Sequence, residues 1–386
     1  MKEHTIQMVD LVGQYEEIKN EIKAGFDEVL GAASFINGPA VKTFQSSLEQ
    51  YLGVKHVIPC ANGTDALQIA MMGLGLKPGD EVITADFTFA STVEVIALLG
   101  LTPVLVDVKW DDFTIDVAAV ERAITPKTKA IVPVHLFGQC ADMKAIMELA
   151  ERHNLKVIED NAQAIGARYL DPSGARPMAG TIGHVGATSF FPSKNLGCYG
   201  DGGALFTNDD DLAHTLRGIV NHGMYERYHH DVVGVNSRLD SLQAVVLNAK
   251  LSRLDTYGAK RQAAARAYNS ALAGLSGVET PVTVSACEGI CDTCNCHVFH
   301  QYTLKIDGNR RDGLAQHLAQ KGIPFGIYYP IPLHRQKAYR DERYNEEDFR
   351  VTNALSDAVI SLPMHTELTP EQIDYITSEI RSFLSQ

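Results

Sequence analysis

The stretch EVITADFTFASTVEVIALLGLTPVLV, residues 81–106, decides the predicted fold. Two short apolar runs, Glu81–Thr84 and Pro103–Val106, flank a helical pattern over residues 89–99. A strand, a helix and a second strand at this spacing are typical of a βαβ unit, in which the two strands run parallel. The stretch therefore predicts an α/β fold with a mostly parallel sheet that helices cover on both faces.

The same alternation continues on either side of this unit. Further strand-like runs lie at residues 56–59, 130–134, 155–158 and 187–191, and helical patterns lie at 13–31, up to about 52, 64–75, 116–123 and 141–152. A longer helical stretch, 238–273, leads to a strand near 298–306 and helices at 310–321 and 370–384. We expect residues 1–250 to form a large domain and residues 251–386 a small α+β domain.

Composition and charge exclude several classes of protein. The 386 residues are 45% hydrophobic and 21% charged, which is typical of a globular chain rather than a disordered one. The net charge of −13 argues against non-specific binding of nucleic acid or of a membrane surface. The polar start and the interrupted run Val93–Val108 predict neither a secretory leader nor a membrane span. Seven cysteines, an odd number, make a disulfide framework unexpected and predict a cytoplasmic location.

Four features follow predicted strands, where ligands bind in parallel sheets. Lys194 lies in SFFPSKNLGCYGDGG (189–203), between an apolar run and a run of glycines, and Asp160 ends another strand. The sequence CANGTDAL (60–67) starts a helix, and Phe87 and Phe89 follow the next strand. Each has a simpler interpretation. Lys194 could be a solvated surface lysine, and Asp160 could be a helix N-cap. Residues 60–67 could form a plain turn, and the two phenylalanines could pack in the core.

Together the four features form the set that pyridoxal phosphate requires. A lysine binds the cofactor covalently, and an acid pairs with the pyridine nitrogen. A helix N-terminus suits the phosphate, and an aromatic face suits the flat ring.

Several motifs then resemble one enzyme family in the correct order. These are NGTDAL (62–67), PGDEVI (78–83), the pair Glu159-Asp160 with Gln163, and SFFPSK (189–194). They are similar to motifs of the DegT–DnrJ family of nucleotide-sugar aminotransferases, and the resemblance extends from Asp10 to His365. It implies a pyridoxal-phosphate-dependent transferase of fold type I, with a mostly parallel mixed sheet, and a homodimer with shared active sites.

The resemblance also implies roles for individual residues. Lys194 would hold the cofactor and move protons, Asp160 would pair with the pyridine nitrogen, and Gln163 would lie near the phenolic oxygen. The residues implied to bind the remaining parts of the cofactor are Gly63, Thr64, Asp65 and Ser189 for the phosphate, Phe89 for the ring, and Asn236 for the partner subunit's phosphate. Family members that act as sugar dehydratases have histidine in place of the lysine, so Lys194 favours transamination.

Other stretches resemble a subset of the family. Residues 136–142, 227–230, 235–240 and 328–333 are similar to those of members that aminate UDP-2-acetamido-2-deoxy-3-oxo-glucuronate for surface polysaccharides such as O-antigen, with L-glutamate as donor and 2-oxoglutarate as by-product. Both substrates carry carboxylates, for which arginine is the bidentate partner. Arg238 is the candidate for this role, although it could instead pair with Asp240. The candidates for the sugar or nucleotide pocket are His229, His230, Tyr329 and His334.

Two other functions stay open on the sequence alone. One is an aminotransferase for a dTDP-3-keto-6-deoxyhexose, which has no carboxylate. The other is a regulator that binds pyridoxal phosphate without turnover, against which the complete set of Lys194, Asp160 and Gln163 argues.

A cysteine cluster precedes the predicted strand near residue 298. It contains Cys287, Cys291, Cys294, Cys296 and His297, a combination that could bind zinc. The spacing does not match a standard zinc finger, and the interval between Cys294 and Cys296 is tight for a tetrahedral site. We therefore predict a thiol-rich loop without a metal.

Overall fold

A mixed sheet forms the centre of the molecule in the computed structural model, which describes residues 6–283, 295–307 and 309–385. Within these ranges its seven strands are β1 (His56–Cys60), β2 (Glu81–Ala85), β3 (Thr102–Val106), β4 (Thr128–Val132), β5 (Lys156–Asp160), β6 (Val185–Ser189) and β7 (Gly203–Thr207). Their order in the sheet is β1-β7-β6-β5-β4-β2-β3, and β7 runs antiparallel to both of its neighbours. The remaining pairs are parallel, which confirms the predicted mostly parallel mixed sheet.

Helices cover both faces of this sheet. They are α1 (Leu11–Gly31), α2 (Pro39–Leu52), α3 (Gly63–Gly73), α4 (Ser91–Leu98), α5 (Val117–Ala123), α6 (Met143–His153), α7 (Asp210–Ile219) and α8 (Ser241–Leu251). Successive strand side chains point to opposite faces, so Val82 packs in one core with α3, α4 and α7, and Ile83 packs in another with α5 and α6. Helices α1, α2 and α8 share a third core with Val57 and Phe206.

The sheet topology brings together residues that are far apart in sequence. Because β1, β5 and β6 run in the same direction, their carboxyl ends lie at the same edge of the sheet. Asn62 follows β1, Asp160 ends β5, and Ser189 ends β6. The predicted functional residues are therefore gathered along one edge.

A fourth core lies in the C-terminal part of the chain. In the described residues after α8, the elements are α9 (Leu254–Leu272), α10 (Arg311–Gln320), α11 (Arg350–Ala358), α12 (Pro370–Leu384) and an antiparallel sheet of β10 (Val278–Glu279), β11 (Tyr302–Ile306) and β12 (Val359–Leu362). A hairpin of β8 (Met224–Glu226) and β9 (His229–His230) precedes them. Tyr268, Leu304 and Ile376 pack together in this core. The domain boundary at residue 250 stays a prediction.

The predicted long helix 238–273 is wrong in one respect, because it is two helices. Helix α8 begins at Ser241 and ends at Leu251, and α9 begins at Leu254. The Arg253 N–H donates to the Lys250 carbonyl, a three-residue bond that closes a turn in place of the helical four-residue bond. The predicted strand near 298–306 is also shorter, because it begins at Tyr302. Val298, earlier in this stretch, instead forms hydrogen bonds with Gly138 and Asn195, which lie in the segments after β4 and β6.

No helix within the described ranges combines the length and the apolar character that crossing a membrane requires.

A buried lysine on α8 yields a stability prediction. The Lys250 side chain is 1% exposed, lies over the Tyr199 ring at 4.7 Å, and its Nζ has no hydrogen-bond partner in the described part of the chain. Burial lowers its pKa from 10.5 to about 8, a cost of about 3 kcal/mol at neutral pH. Loss of the cation–π contact would offset roughly 1 kcal/mol. Lys250→Met should therefore raise the free energy of unfolding at pH 7 by about 2 kcal/mol, measured by urea denaturation.

The pH dependence of this gain has a defined sign. A lysine whose pKa is lowered on folding destabilises the folded protein, and this cost grows as the pH falls from 10.5 to 8. Below pH 8 the cost stays constant. The gain should therefore largely disappear at pH 10. Lys42→Met, at an exposed position on α2, is the matched control and should change the stability little at either pH. A variant at position 250 that is less stable than wild type at pH 7 would contradict the prediction.

Candidate active site

A cavity of about 600 Å³ opens at the carboxyl edge of the central sheet. Residues from the strand ends of the large sheet and from the C-terminal region line it together. The predicted site residues among them are Gly63, Thr64, Phe89, Gln163, Ser189, Lys194 and Tyr329. The structure thus gathers into one cavity residues that span more than 260 positions of sequence.

The start of α3 forms one end of this cavity. The Asn62 side chain caps the helix, and its Oδ1 accepts a hydrogen bond of 2.8 Å from the Asp65 backbone N–H. A Cβ atom at Gly63 would lie 2.6 Å from the Ser189 Cβ, so only glycine allows the helix to start this close to β6. The first N–H groups of a helix lack intrahelical partners and carry a partial positive charge. This end of the cavity therefore suits an anion such as a phosphate.

The Asp65 side chain binds a residue in the loop before α8. Its Oδ2 accepts a hydrogen bond of 2.7 Å from the Ser237 hydroxyl, and the same hydroxyl oxygen accepts from the Ala61 N–H. Asp65 is absent from the described residues that line the cavity. The carboxylate thus ties the loop around Ser237 to the start of α3.

Asp160 is almost completely buried beside the cavity. Its Oδ2 accepts a hydrogen bond of 2.8 Å from the Thr92 hydroxyl, and its Oδ1 accepts one of 3.2 Å from the Ala162 N–H. Burial raises the pKa of Asp160, while these hydrogen bonds and the charge on Lys194 oppose the rise. Thr92, on α4, is a functional candidate that the sequence reasoning missed, because nothing in the local pattern links it to a strand end 68 residues later.

Lys194 lies in the turn that follows β6 and lines the cavity. Its backbone N–H donates to the Phe191 carbonyl, and its neighbour Asn195 donates from Nδ2 to the Val298 carbonyl at 2.9 Å. Burial lowers the pKa of Lys194 to about 8, and attraction to Asp160 opposes the fall. A lysine with this pKa can give and take protons near neutral pH.

Gln163 is held between two elements. Its side-chain oxygen accepts a hydrogen bond of 2.8 Å from the Phe137 N–H, and its Nε2 donates to the Tyr329 hydroxyl at 3.1 Å. The Tyr329 hydroxyl belongs to the C-terminal region, so this bond joins the two parts of the chain across the cavity.

The two phenylalanines after β2 have different environments. The Phe89 ring is 58% exposed and lines the cavity, whereas the Phe87 ring is 1% exposed and packs against Phe113, Phe137 and Tyr329. Phe89 is therefore the ring available to stack on a ligand, and Phe87 is a core residue.

His300 is a second residue that the sequence reasoning missed. It lines the cavity, is 5% exposed, and its Nδ1 has no hydrogen-bond partner among the residues described. Burial holds its pKa well below 6.5, and the charges of Lys194 and Arg261 lower it further. The imidazole is therefore neutral and leaves a ring nitrogen unsatisfied next to the lysine.

A buried hydrogen bond between a histidine and a glutamate holds the end of β5 in place. Glu159 is fully buried, and His135 Nε2 lies 2.7 Å from its Oε2. The backbone N–H groups of Gly180, Ile182 and Gly183 also donate to this carboxylate. The His135 Nδ1 accepts from the Ala141 N–H, so Nε2 carries the proton toward Glu159.

Besides Asp65 and Asp160, five predicted residues are absent from the described lining of the cavity. Asn236 is exposed and Arg238 is half-buried in the loop before α8, and His229 and His230 are exposed on the β8–β9 hairpin. His334 is buried and pairs with Asp86 through its Nδ1. None of the described residues that line the cavity is an arginine.

The cysteine cluster lies mostly outside the described residues, since these exclude Cys287, Cys291 and Cys294. Cys296 is buried, and His297 stacks on Phe299 with a ring separation of 3.9 Å. Burial lowers the pKa of His297 to about 3. Across the described ranges, no group of three or more metal-binding side chains comes together.

The residues of the cavity fit pyridoxal phosphate. A helix start and Ser189 provide an anion cradle that a Cβ at position 63 would fill, and Phe89 provides an exposed ring face. Lys194 and the buried acid Asp160 attract each other at the same place. A lysine, an acid and an anion cradle in this arrangement are what the cofactor requires.

Comparison with known proteins agrees with this interpretation. The DegT/DnrJ/EryC1/StrS aminotransferase family profile matches residues 16–381. The chain is 44% identical to the UDP-2-acetamido-2-deoxy-3-oxo-D-glucuronate aminotransferase of Pseudomonas aeruginosa, over 97% of this chain and 99% of that protein. It is also 44% identical to a pleiotropic regulatory protein of Geobacillus stearothermophilus, over 98% of each. Identity to the dTDP-3-amino-3,4,6-trideoxy-alpha-D-glucose transaminase of Streptomyces venezuelae is 40%, over 98% and 96%.

Solved structures show the same fold. DesV of S. venezuelae, solved with a ketimine intermediate, matches with a TM-score of 0.91 and 39% identity over 99% of both chains. NtdA of Bacillus subtilis, solved with bound cofactor PMP, matches with a TM-score of 0.87 and 31% identity over 96% of this chain and 82% of that one. The fold is that of the type I pyridoxal-phosphate enzymes, as predicted. The chain therefore belongs to the DegT/DnrJ/EryC1/StrS aminotransferase family, whose enzymes depend on pyridoxal phosphate.

Proposed function

We propose that this sugar aminotransferase moves an amino group from L-glutamate to the keto carbon of UDP-2-acetamido-2-deoxy-3-oxo-glucuronate. The observation that carries the proposal is Lys194 in a cavity with an anion cradle, beside which the acid Asp160 is buried. The P. aeruginosa relative supports the choice of sugar through its 44% identity over nearly the whole chain. The product would be a 3-amino sugar acid for a surface polysaccharide such as O-antigen.

The chain's own residues have separate tasks in this proposal. When bound, pyridoxal phosphate supplies an electron sink for the bond that breaks at the amino-bearing carbon. Lys194, with its pKa near 8, takes a proton at Nζ and delivers it to a second carbon within the same half-reaction, and it moves a proton in the reverse direction in the other half. Asp160 offers its charge to the pyridine nitrogen, and Thr92 and the Ala162 N–H hold its two oxygens in place.

Other lining residues would orient the cofactor. We assign the phosphate to the backbone of Gly63 and Thr64 and to Ser189, and the ring face to Phe89. Gln163 would lie beside the phenolic oxygen, because Phe137 and Tyr329 fix its side chain at the cavity wall. The Asp65 carboxylate would act indirectly, since it binds Ser237 in the loop before α8.

The charges of the ligands support a homodimer with shared sites. The sugar nucleotide brings a diphosphate and a carboxylate, and glutamate brings two carboxylates, yet no arginine is among the described lining residues. Asn236 and Arg238 are absent from the described lining of the cavity. We assign Asn236 to the cofactor phosphate and Arg238 to a substrate carboxylate in the other subunit of the dimer, with His229 and His230 near its nucleotide.

The proposed location is the cytoplasm. Cys60, Cys140 and Cys198 carry no disulfide, which suits a reducing compartment.

Two relatives favour other functions. The S. venezuelae transaminase, at 40% identity, favours a neutral dTDP-sugar, and the G. stearothermophilus protein, at 44%, favours a regulator. A regulator without turnover could lose any one of Lys194, Asp160 and Gln163, so the complete set favours an enzyme. The two sugars differ in a carboxylate, and Arg238 is the candidate residue for recognising it.

Substrate choice tests the proposed function directly. The purified protein, loaded with pyridoxal phosphate, is given L-glutamate and either the 3-keto UDP-uronate or a dTDP-3-keto-6-deoxyhexose. We expect kcat/KM at least about a hundredfold higher with the uronate, because a paired carboxylate contributes about 3 kcal/mol. Production of 2-oxoglutarate is measured. Preference for the dTDP-sugar would contradict the proposal, and absence of turnover with both would favour the regulator.

The role of Lys194 has its own test. Lys194→Ala should lower kcat by at least about a thousandfold, since it removes the group that transfers the proton. Lys250→Met removes the other lysine whose burial lowers its pKa to about 8, and it should keep turnover because Lys250 lies outside the cavity. Turnover in the position 194 variant within tenfold of wild type would contradict the assignment.

The role of Arg238 is tested by selectivity. Arg238→Ala should lower kcat/KM for the uronate about a hundredfold and that for the corresponding neutral sugar less than threefold. Arg217→Ala, at an exposed arginine on α7, is the matched control and should affect neither. Equal losses on both sugars at position 238 would remove Arg238 from carboxylate recognition.

A further inference from the structure

His334 has a partner that explains its burial. Asp86 directly follows β2 and is fully buried. Its Oδ1 accepts a hydrogen bond of 2.7 Å from the His334 backbone N–H, and its Oδ2 lies 2.6 Å from the His334 Nδ1. The Leu333 N–H also donates to the Asp86 carbonyl at 3.3 Å. Three contacts thus join one aspartate to two consecutive residues of the C-terminal region.

The other side of the imidazole is also occupied. The His334 Nε2 lies 3.4 Å from a Glu346 carboxylate oxygen, and Arg335 pairs with the same carboxylate. The ring stacks on Phe349 at a centroid distance of 4.2 Å. Both ring nitrogens are therefore engaged within the protein, so the ring has no free nitrogen for a substrate. We call Asp86 and His334 the clamp.

The clamp holds a segment that reaches the cavity. Tyr328 and Tyr329, a few residues before His334, line the cavity, and the Tyr329 hydroxyl accepts from Gln163. The Tyr329 ring also packs against Phe87, the residue after Asp86, at 6.0 Å. The clamp therefore fixes the far end of the segment whose near end contacts Gln163.

We propose that His334 is a positioning residue, which fastens residues 328–334 to the end of β2 and so holds Tyr329 against Gln163. This replaces the direct substrate contact that the sequence suggested for His334. The inference rests on the proposed cofactor site, because Gln163 would lie beside the cofactor ring. Removing one partner of a buried hydrogen-bonded pair leaves the other unsatisfied, so the attachment is sensitive to single substitutions.

A double-mutant cycle between His334 and Tyr329 tests the proposal. His334→Leu should lower kcat about tenfold with both the sugar and L-glutamate, and raise the dissociation constant for pyridoxal phosphate about tenfold, because both half-reactions use the same ring. Tyr329→Phe removes the bond to Gln163. In that background His334→Leu should cost less than about a further twofold, since the two positions act through one contact.

The conservative variant separates positioning from contact with a ligand. In His334→Asn the side-chain amide replaces the Nδ1 donor to Asp86, so the catalytic and binding constants should return to within about threefold of wild type. Independent losses in the cycle, an Asn variant as damaged as the Leu variant, or a loss confined to one substrate would each overturn the proposal.

If His334→Leu does not fold, a variant of its partner Asp86 provides the same test. Asp86→Asn keeps the side-chain volume and removes the charge, and the same cycle with Tyr329→Phe should again show losses that do not multiply. Multiplying losses there would overturn the proposal equally. Failure of the proposed function would appear in the wild-type protein as absent cofactor binding and turnover, whereas failure of this inference would appear only in the variants.

Discussion

The attraction between Lys194 and Asp160 is the interaction on which the site depends. Burial lowers the pKa of the lysine and raises that of the aspartate, and each charge partly offsets the cost of burying the other. The sheet brings the two residues to the same edge, because β5 and β6 pair in parallel and Asp160 lies opposite Ala187. The turn after β6 then returns Lys194 to the same edge. Glu159, bonded to His135 and three backbone N–H groups, keeps that edge in place.

Close approach of backbones is the second requirement. A Cβ at Gly203 would lie 2.4 Å from the Asn62 carbonyl carbon, and a Cβ at Gly63 would meet Ser189. Glycine at position 203 lets the start of β7 lie against Asn62, and glycine at position 63 lets the start of α3 lie against the end of β6. An anion cradle can therefore form beside the lysine without any arginine among the described lining residues. The overall charge of −13 gives no indication of this local environment.

Sequence patterns predicted the elements that repeat and missed those that depend on distant partners. The alternation around residues 81–106 was sufficient for the parallel strands, and position after a strand was sufficient to select Lys194 and Asp160. The sequence pattern did not predict strand β7, because this strand begins within a run of glycines. The pairing of His334 with Asp86 could not be inferred, since the two residues lie 248 positions apart in sequence and only folding brings them together. Arg238 stays a prediction because its side chain is not among the described residues that line the cavity.

Covalent mapping of the cofactor tests the central claim most directly. The pure protein, loaded with pyridoxal phosphate and reduced with borohydride, would be digested and its peptides mapped by mass spectrometry. The account predicts one phosphopyridoxyl label per chain, on Lys194, and loss of the label when Asp160→Ala removes the buried acid that favours cofactor binding. A label on Lys250 or another lysine, with Lys194 unmodified, would contradict it.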